Sequence, residues 1–353
     1  MPLVAYKNIP SFQRLQKDGH LILSEDRALR QDYRGLHIGF LNMMPDAALE
    51  VTERQFFRLI GRADRIMQFY MHPFTVNGIE RGGEAQKYIH DYYETFDEIK
   101  AQGLDALIIS GANISTCELA DTDFYSELKD VLEWAADNVT SVLCSCLSTH
   151  AVMRALFNEK RSPLKEKLFG VYKHSIVDQT QPLTRGINTA FDAPHARNNN
   201  IERAQFEKHD MRILAESPEA GVHLASSKDG LKLICFQGHP EYDRISLLKE
   251  YKRDIGFYFD GKTSASPPFP FGYFQNDKMD LVRKYIDGVY QTKDIARFDE
   301  DYLAQYVDNT WQDTGRSIIQ NWVGAVYQVT GFERNKPFMD DIDPSNPIKN
   351  VLI

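Results

Sequence analysis

The segment Ser141-Val142-Leu143-Cys144-Ser145-Cys146-Leu147-Ser148-Thr149-His150 restricts the folds open to this chain more than any other. An apolar run ends in small residues, and the helix-spaced Ala151-Val152-Met153-Arg154-Ala155-Leu156 follows at once. That order describes a buried strand turning sharply into an amphipathic helix, a turn that lifts one side chain above the end of a sheet. A thiol there lies against the first amides of the helix, which favour thiolate over thiol and can hold an oxyanion. Buried strand cysteines explain Cys144 and Cys146 equally well at this point, because free cysteine packs as a small apolar residue.

The preceding sequence supplies the rest of such a sheet. Leu36-His37-Ile38-Gly39-Phe40-Leu41 reads as a first buried strand, and residues 50–60 as a helix. Residues 65–71 alternate as a strand should, and Ala106-Leu107-Ile108-Ile109 is a third strand stopped by Ser110-Gly111-Ala112. Residues 124–136 carry Phe124, Leu128, Val131, Leu132 and Ala135 on one helical face. Strands alternating with helices of this length imply an α/β fold, a mostly parallel sheet with helices on both faces. Ligands in such sheets sit at the carboxyl ends of strands. The loops after Leu41, after Ile109 and at Cys146 are therefore the expected site loops. Gly111 and Ala112 are candidate oxyanion donors beside the Leu147 amide, although a tight turn also explains Gly111.

A second stretch sharpens the chemistry. In the stretch Leu231-Lys232-Leu233-Ile234-Cys235-Phe236-Gln237 a short strand delivers Gly238-His239-Pro240-Glu241 to its end. Residues two apart in extended chain share a side, so Glu241 can orient His239, and His239 can activate a thiol. A solvated loop histidine beside a surface carboxylate is the plainer reading; the elbow favours the triad Cys146, His239 and Glu241. From Leu168 to about Phe236 the pattern is one of short strands and turns, with residues 213–215 and 222–225 as an antiparallel pair. Helical spacing sets Glu250 and Arg253 on one face, where a solvated ion pair is the default. The segment from Pro267 to Phe274, rich in proline and aromatics, is a loop, and a last helix spans 314–327.

Composition narrows the class. With 353 residues the chain can bury a large core, and 42% apolar with 26% charged residues is ordinary for a globular protein. A net charge of −9 argues against a nucleic-acid partner. No apolar run is long enough to span a bilayer, and the first residues lack a signal-peptide core, so no membrane partner and a cytoplasmic location are expected. Four cysteines without a spaced framework read as reduced thiols, with Cys117 and Cys235 as inert packing or loop residues. No metal-ligand spacing, internal repeat or low-complexity segment is present. Residues 1–34 read as an irregular lead-in, 35–330 as one domain, and 331–353 as a tail.

The chain resembles the homoserine O-acyltransferases of methionine biosynthesis, which have a class I glutamine-amidotransferase-like (flavodoxin-like) fold, here with added C-terminal helical segments. The likeness runs from about Gly35 to about Thr330. It rests on Asn42-Met43-Met44-Pro45, Thr52-Glu53-Arg54-Gln55-Phe56, Gly111-Ala112, Cys146, Lys167-Leu168-Phe169-Gly170-Val171-Tyr172, Leu183-Thr184-Arg185-Gly186, Ala193-Pro194-His195, Gly238-His239-Pro240-Glu241-Tyr242-Asp243 and Asn321-Trp322. The resemblance implies two-step acyl transfer through a Cys146 acyl-enzyme, from acyl-CoA to the hydroxyl of a small amino acid, in a homodimer. It requires no cofactor beyond acyl-CoA as a substrate, and no metal. It makes Arg253 the holder of an amino-acid carboxylate, with Lys167 and Glu250 as further substrate-binding residues and Arg197 a weaker candidate of the same kind. An exposed lysine at a helix end is the plainer account of Lys167.

Donor and acceptor are less sharply drawn. The family's acyl-discriminating position falls at Ser115, where succinyl-using members have glycine and acetyl-using members glutamate. A second specificity position falls at Ala196, where the family has serine. The Asp46-Ala47-Ala48 loop also replaces two family lysines. Because Ser115 is small and uncharged, succinyl-CoA is favoured over acetyl-CoA, and L-homoserine over L-serine. A glutamine amidotransferase-like hydrolase is the rival enzyme, and a catalytically silent scaffold the rival of another kind. Leu147 and Ser148 after the elbow cysteine, in place of glycine, speak against the first, and the intact triad against the second.

Overall fold

The elbow strand lies deep inside an eleven-stranded sheet in a computed structural model that describes residues 3–20, 22–30, 33–112, 114, 118–334, 338, 340 and 342–351. In chain order the strands are β1 Leu3–Ala5, β2 Ile22–Ser24, β3 Leu36–Leu41, β4 Phe69–Phe74, β5 Ala106–Ile109, β6 Ser141–Ser145, β7 Ser162–Ile176, β8 Ala190–Asn200, β9 Arg212–Ser217, β10 Gly221–Ser226 and β11 Leu233–Phe236. They lie in the order β2-β1-β4-β3-β5-β6-β11-β10-β9-β7-β8. Every pairing from β2 to β11 is parallel, and every pairing from β11 to β8 antiparallel. The expected α/β fold with a mostly parallel sheet is what forms.

Side-chain alternation builds a core on each face, since successive residues of a strand point to opposite sides. On β5, Ala106 and Ile108 enter one cluster with Phe56, Phe57 and Ile60 of the Asp46–Ala63 helix and Ile318, Trp322 and Val326 of the Gln312–Val329 helix. Leu107 and Ile109 enter the other, against Leu128, Val131 and Leu132 of the Tyr125–Asn138 helix and Val152 of the Leu147–Phe157 helix. Cys144 and Cys235 sit in this second cluster, fully buried, and burial raises the Cys235 thiol well above its ordinary pKa. Both are packing residues. A third cluster joins Phe169 and Val171 of β7 to the Ser246–Phe259 and Met279–Thr292 helices, which form the added C-terminal helical layer.

Four expectations need correction. Residues 1–34 are not irregular, because β1 pairs in parallel with both β2 and β4 and extends the sheet. Strand β4 starts at Phe69, since Asp64 Oδ1 accepts from the amides of Ile66 (2.7 Å) and Met67 (2.9 Å) and holds a turn where a strand was expected. The helix expected over 50–60 begins at Asp46, because Pro45 leads into it and Ala47 and Ala48 are strong helix formers. The short strands expected after Leu168 include a long hairpin, fifteen residues of β7 against eleven of β8. Its polar sequence conceals it, for only tertiary pairing makes it extended. Beyond Phe332, Ile348 and Val351 are buried in the first core. The 213–215 and 222–225 pair forms as expected, within β9 and β10.

Register places the site loops. Ile109 aligns with Cys144 and Leu41 with Ile109, while Cys144 aligns with Cys235 and Ser145 with Phe236. The loops after β3, β5, β6 and β11 therefore leave the sheet at one level, side by side at its carboxyl edge.

Candidate active site

Cys146 stands one residue beyond β6, with φ 54° and ψ −110°, as the cap of the Leu147–Phe157 helix. A non-glycine residue with positive φ is strained and persists only when its surroundings hold it. The restraints here are the Cys146 amide donating to Phe236 O (2.8 Å), Thr149 Oγ1 to Phe236 O (2.7 Å) and Ser148 Oγ to Ile109 O (2.8 Å). They tie the elbow to β11 and β5. The thiol is partly exposed, unlike Cys144 and Cys235.

From the neighbouring strand, β11 brings His239 and Glu241. The His239 Nδ1–H donates to Glu241 Oε1 at 2.8 Å, with both groups buried. An ionised carboxylate only accepts, so this bond fixes the proton on Nδ1. Nε2 is buried with no hydrogen bond to any oxygen or nitrogen among the described residues, and is the nitrogen left to face Cys146. Burial alone lowers the His239 pKa, but the charges of Cys146 and Glu241 outweigh it and raise the ring well above its ordinary value. Tyr242 stacks on the imidazole with centroids 4.0 Å apart. A Cβ at position 238 would lie 2.7 Å from His223 Nδ1 and 2.8 Å from Pro194 O, so only glycine fits beside the histidine.

Three residues of this site escape the sequence reading. Ser145 is fully buried, and its Oγ lies 3.2 Å from both oxygens of Glu241. Its place one residue before Cys146 is the signal that could have found it. Asp254 receives Lys167 Nζ at 2.5 Å and Arg253 Nη2 at 2.8 Å, and its spacing four residues from Glu250 marks it. His150 is buried one helical turn after Cys146 and lines the same pocket. Its Nε2 lies 3.1 Å from Gln237 Oε1, and burial lowers its pKa to about 3, so it is neutral.

A pocket of about 150 Å³ gathers the remaining candidates: Gly111, Ala112, Leu147, Lys167, Ala196, Arg197, Glu250 and Arg253 join Cys146 and His239 in its wall. A Cβ on Gly111 would lie 4.0 Å from the Cys146 Cβ, which sets the loop after β5 directly beside the thiol. Lys167, Arg253, Glu250 and Asp254 form one ion-pair cluster, with Glu250 3.7 Å from Lys167 and 3.5 Å from Arg253. Tyr242 donates its hydroxyl to Glu250. Lys167 is a strand residue of β7 and not at a helix end. Ser115 and Cys117 lie outside the described residues.

Arg197 differs from the carboxylate holder expected of it. It is buried, and its guanidinium is committed to Asn199 O (2.9 Å), Asn200 Oδ1 (2.7 Å) and Ala220 O (2.5 Å), with Nε 3.4 Å from His195 Nδ1. Burial lowers its pKa to about 10, so it remains cationic. It acts as a fixed charge in the pocket wall. Behind it, His174, His195 and His223 are buried with nitrogens within 4.8 Å of one another. His195 Nε2 lies 3.1 Å from His174 Nε2, and His174 Nδ1 2.8 Å from Tyr172 O. Three such nitrogens could ligate a metal, but this donor chain, starting at the Arg197 cation, already occupies His195 and His174.

The comparisons with known proteins decide the family. A family model described as homoserine O-succinyltransferase matches residues 2–332. Proteins named homoserine O-succinyltransferase from Methylobacter tundripaludum and Methylococcus capsulatus are each 50% identical over 352 residues, 99% of this chain and 99% of theirs. The chain belongs to the homoserine O-succinyltransferase family. One from Thiobacillus denitrificans is 51% identical over 348 residues, again with 99% of each chain covered. As a family member, the chain is an acyltransferase. Among solved structures, it is similar to a glutamine amidotransferase from Thermotoga maritima, with TM-score 0.48 and 11% identity over 84% of this chain and 100% of that one. It is also similar to a glutamine amido transferase from Methylobacillus flagellatus, with TM-score 0.43 and 11% identity over 79% and 97%. Among the described residues, no helix is long and apolar enough to cross a membrane.

Proposed function

We propose that the protein transfers a succinyl group from succinyl-CoA to the side-chain hydroxyl of L-homoserine, through a thioester on Cys146, in methionine biosynthesis. The observation that carries this reading is the convergence, in the wall of one small pocket, of Cys146 and of His239, paired behind it with Glu241, with Lys167, Arg253 and Glu250, an ion-pair cluster that Asp254 completes outside the wall. The Cys146 sulfur attacks the thioester carbonyl, and the amides of Leu147 and of Gly111 or Ala112 receive the oxyanion. The C–S bond to CoA breaks as His239 Nε2–H protonates the departing sulfur. Nε2 then takes the proton of the homoserine hydroxyl, whose oxygen attacks the acyl-enzyme, and Cys146 leaves as thiolate. Glu241 holds the imidazole in the one tautomer and steadies its positive form.

The ion-pair cluster suits an α-amino acid, which carries one charge of each sign. Arg253, with a side chain 45% exposed at the pocket rim, and Lys167 suit the carboxylate; Glu250 and Asp254 suit the ammonium. Arg197 lends a buried positive field to the thiolate and to the carboxylate of a succinyl group. The name shared by the relatives supports homoserine and succinyl together. Initial rates of thiol release, with succinyl- and acetyl-CoA each tested against homoserine and serine, check the assignment. The expected fastest pair is succinyl-CoA with homoserine; a faster rate with acetyl-CoA or with serine rejects the corresponding half of the proposal.

A further inference from the structure

The catalytic pocket, at about 150 Å³, has room for the acyl end of the donor and the acceptor, and not for the rest of a CoA molecule. A second cavity of about 690 Å³ adjoins it and shares three wall residues with it, Lys167, Asn198 and Arg253. That size lies within the ~300–1,000 Å³ of sites that bury large organic ligands. Phe257, Ala265, Pro267 and Pro268 give one side of this cavity an apolar surface. The wall also carries Lys165, which is exposed and takes part in no ion pair among the described residues. Three cations outnumber two carboxylates in its wall, within a chain of net charge −9 that would otherwise repel a polyanion.

We infer that this cavity is the seat of the donor's carrier, with the pantetheine arm against Phe257 and the two prolines and the phosphates toward Lys165. The inference rests on the reading of the donor as an acyl-CoA. It gives a role to Pro267 and Pro268, while the rings of the same loop pack elsewhere, Tyr273 and Phe274 in the third core and Phe271 on Tyr172. The arm enters past Lys167, Asn198 and Arg253, so the thioester arrives at Cys146 from the side opposite β5.

Two variants and two thioesters test it. Lys165→Ala removes the unpaired cation, and Ser266→Trp narrows the cavity from an exposed loop position. Succinyl-pantetheine carries the same thioester as succinyl-CoA without phosphates or nucleotide. Lys165→Ala should raise KM for succinyl-CoA about five- to tenfold, the worth of one charged contact to phosphate. It should leave kcat, and KM for succinyl-pantetheine, within about twofold. Ser266→Trp should raise KM for both thioesters at unchanged kcat. Calorimetric binding of free CoA should weaken in both variants in the same proportion. Unchanged CoA binding in both variants, or an equal KM rise for the two thioesters in Lys165→Ala, overturns the assignment. A parent enzyme that releases thiol from neither thioester but binds CoA, more weakly after Lys165→Ala, rejects the acyl-transfer reading and leaves the cavity assignment standing.

Discussion

Replacing Glu241 by Gln isolates the charge that holds His239 in its positive form. Glutamine keeps the shape and can still accept from Nδ1, so the 2.8 Å bond survives while the negative charge is lost. For two unit charges 2.8 Å apart, an effective dielectric constant of about 20 gives an attraction of about 6 kcal/mol. Desolvation of the pair offsets much of it, and an opposite charge at this range moves a pKa by about 1–3 units, or roughly 1.4–4 kcal/mol. The sign is set by the direction of the His239 shift: its folded pKa lies above the ordinary value because Cys146 and Glu241 together outweigh burial. Loss of one of those charges lets burial act, so the imidazolium gives up its proton at lower pH. The alkaline limb of kcat/KM for the thioester should then move down by about 1–2 units, with about a 10–100-fold loss of rate at its former plateau. Thiol release followed across pH gives the limb, and NMR titration of the His239 ring nitrogens gives the same limb without turnover. An alkaline limb that stays in place in both assays would refute the ion-pair argument.

Ser145→Ala removes the hydroxyl 3.2 Å from both Glu241 oxygens. Such a bond to a charged group is worth about 1.5 kcal/mol, so kcat should fall about tenfold with KM nearly constant, and Ser145→Thr should restore part of it; a rise in KM alone contradicts the positioning role. Cys146→Ala should abolish acyl-enzyme formation while Cys144→Ala retains most of it, and mass spectrometry after mixing with acyl-CoA should find the acyl group on Cys146; an adduct on Cys144 would overturn the assignment. Arg253→Lys loses a planar, bidentate contact worth about 2–3 kcal/mol. Deacylation by homoserine should slow by about 30–150-fold while single-turnover acylation is nearly unchanged; equal loss in both steps would point to a structural role for the cluster around Asp254.

Much of the site was legible in the linear sequence because its elements are local. A strand of apolar residues, a small-residue turn and an amphipathic helix fix the elbow at Cys146 whatever surrounds them. The two-residue spacing of His239 and Glu241 puts them on one side of extended chain by backbone geometry alone. The same alternation assigned β3, β5 and β6 correctly, since their apolar runs have few other ways to be buried.

What the sequence left open depends on residues far apart in it. Glu241 sits 96 residues from Ser145, and only the alignment of Ser145 with Phe236 brings them together. Arg197 reads as a substrate ligand because guanidinium suits carboxylate. Its partners Asn199 and Asn200 lie on the long hairpin and Ala220 in the turn between β9 and β10, segments that meet only in the fold. The lead-in became β1 and β2 because open sheet edges leave backbone groups to pair, a demand no single segment displays. Local periodicity thus determined the elbow at Cys146, the pairing of His239 with Glu241 and the layers around them. Tertiary packing alone decided which charges are free to meet a substrate, because burial and pairing are properties of neighbours and not of residue types.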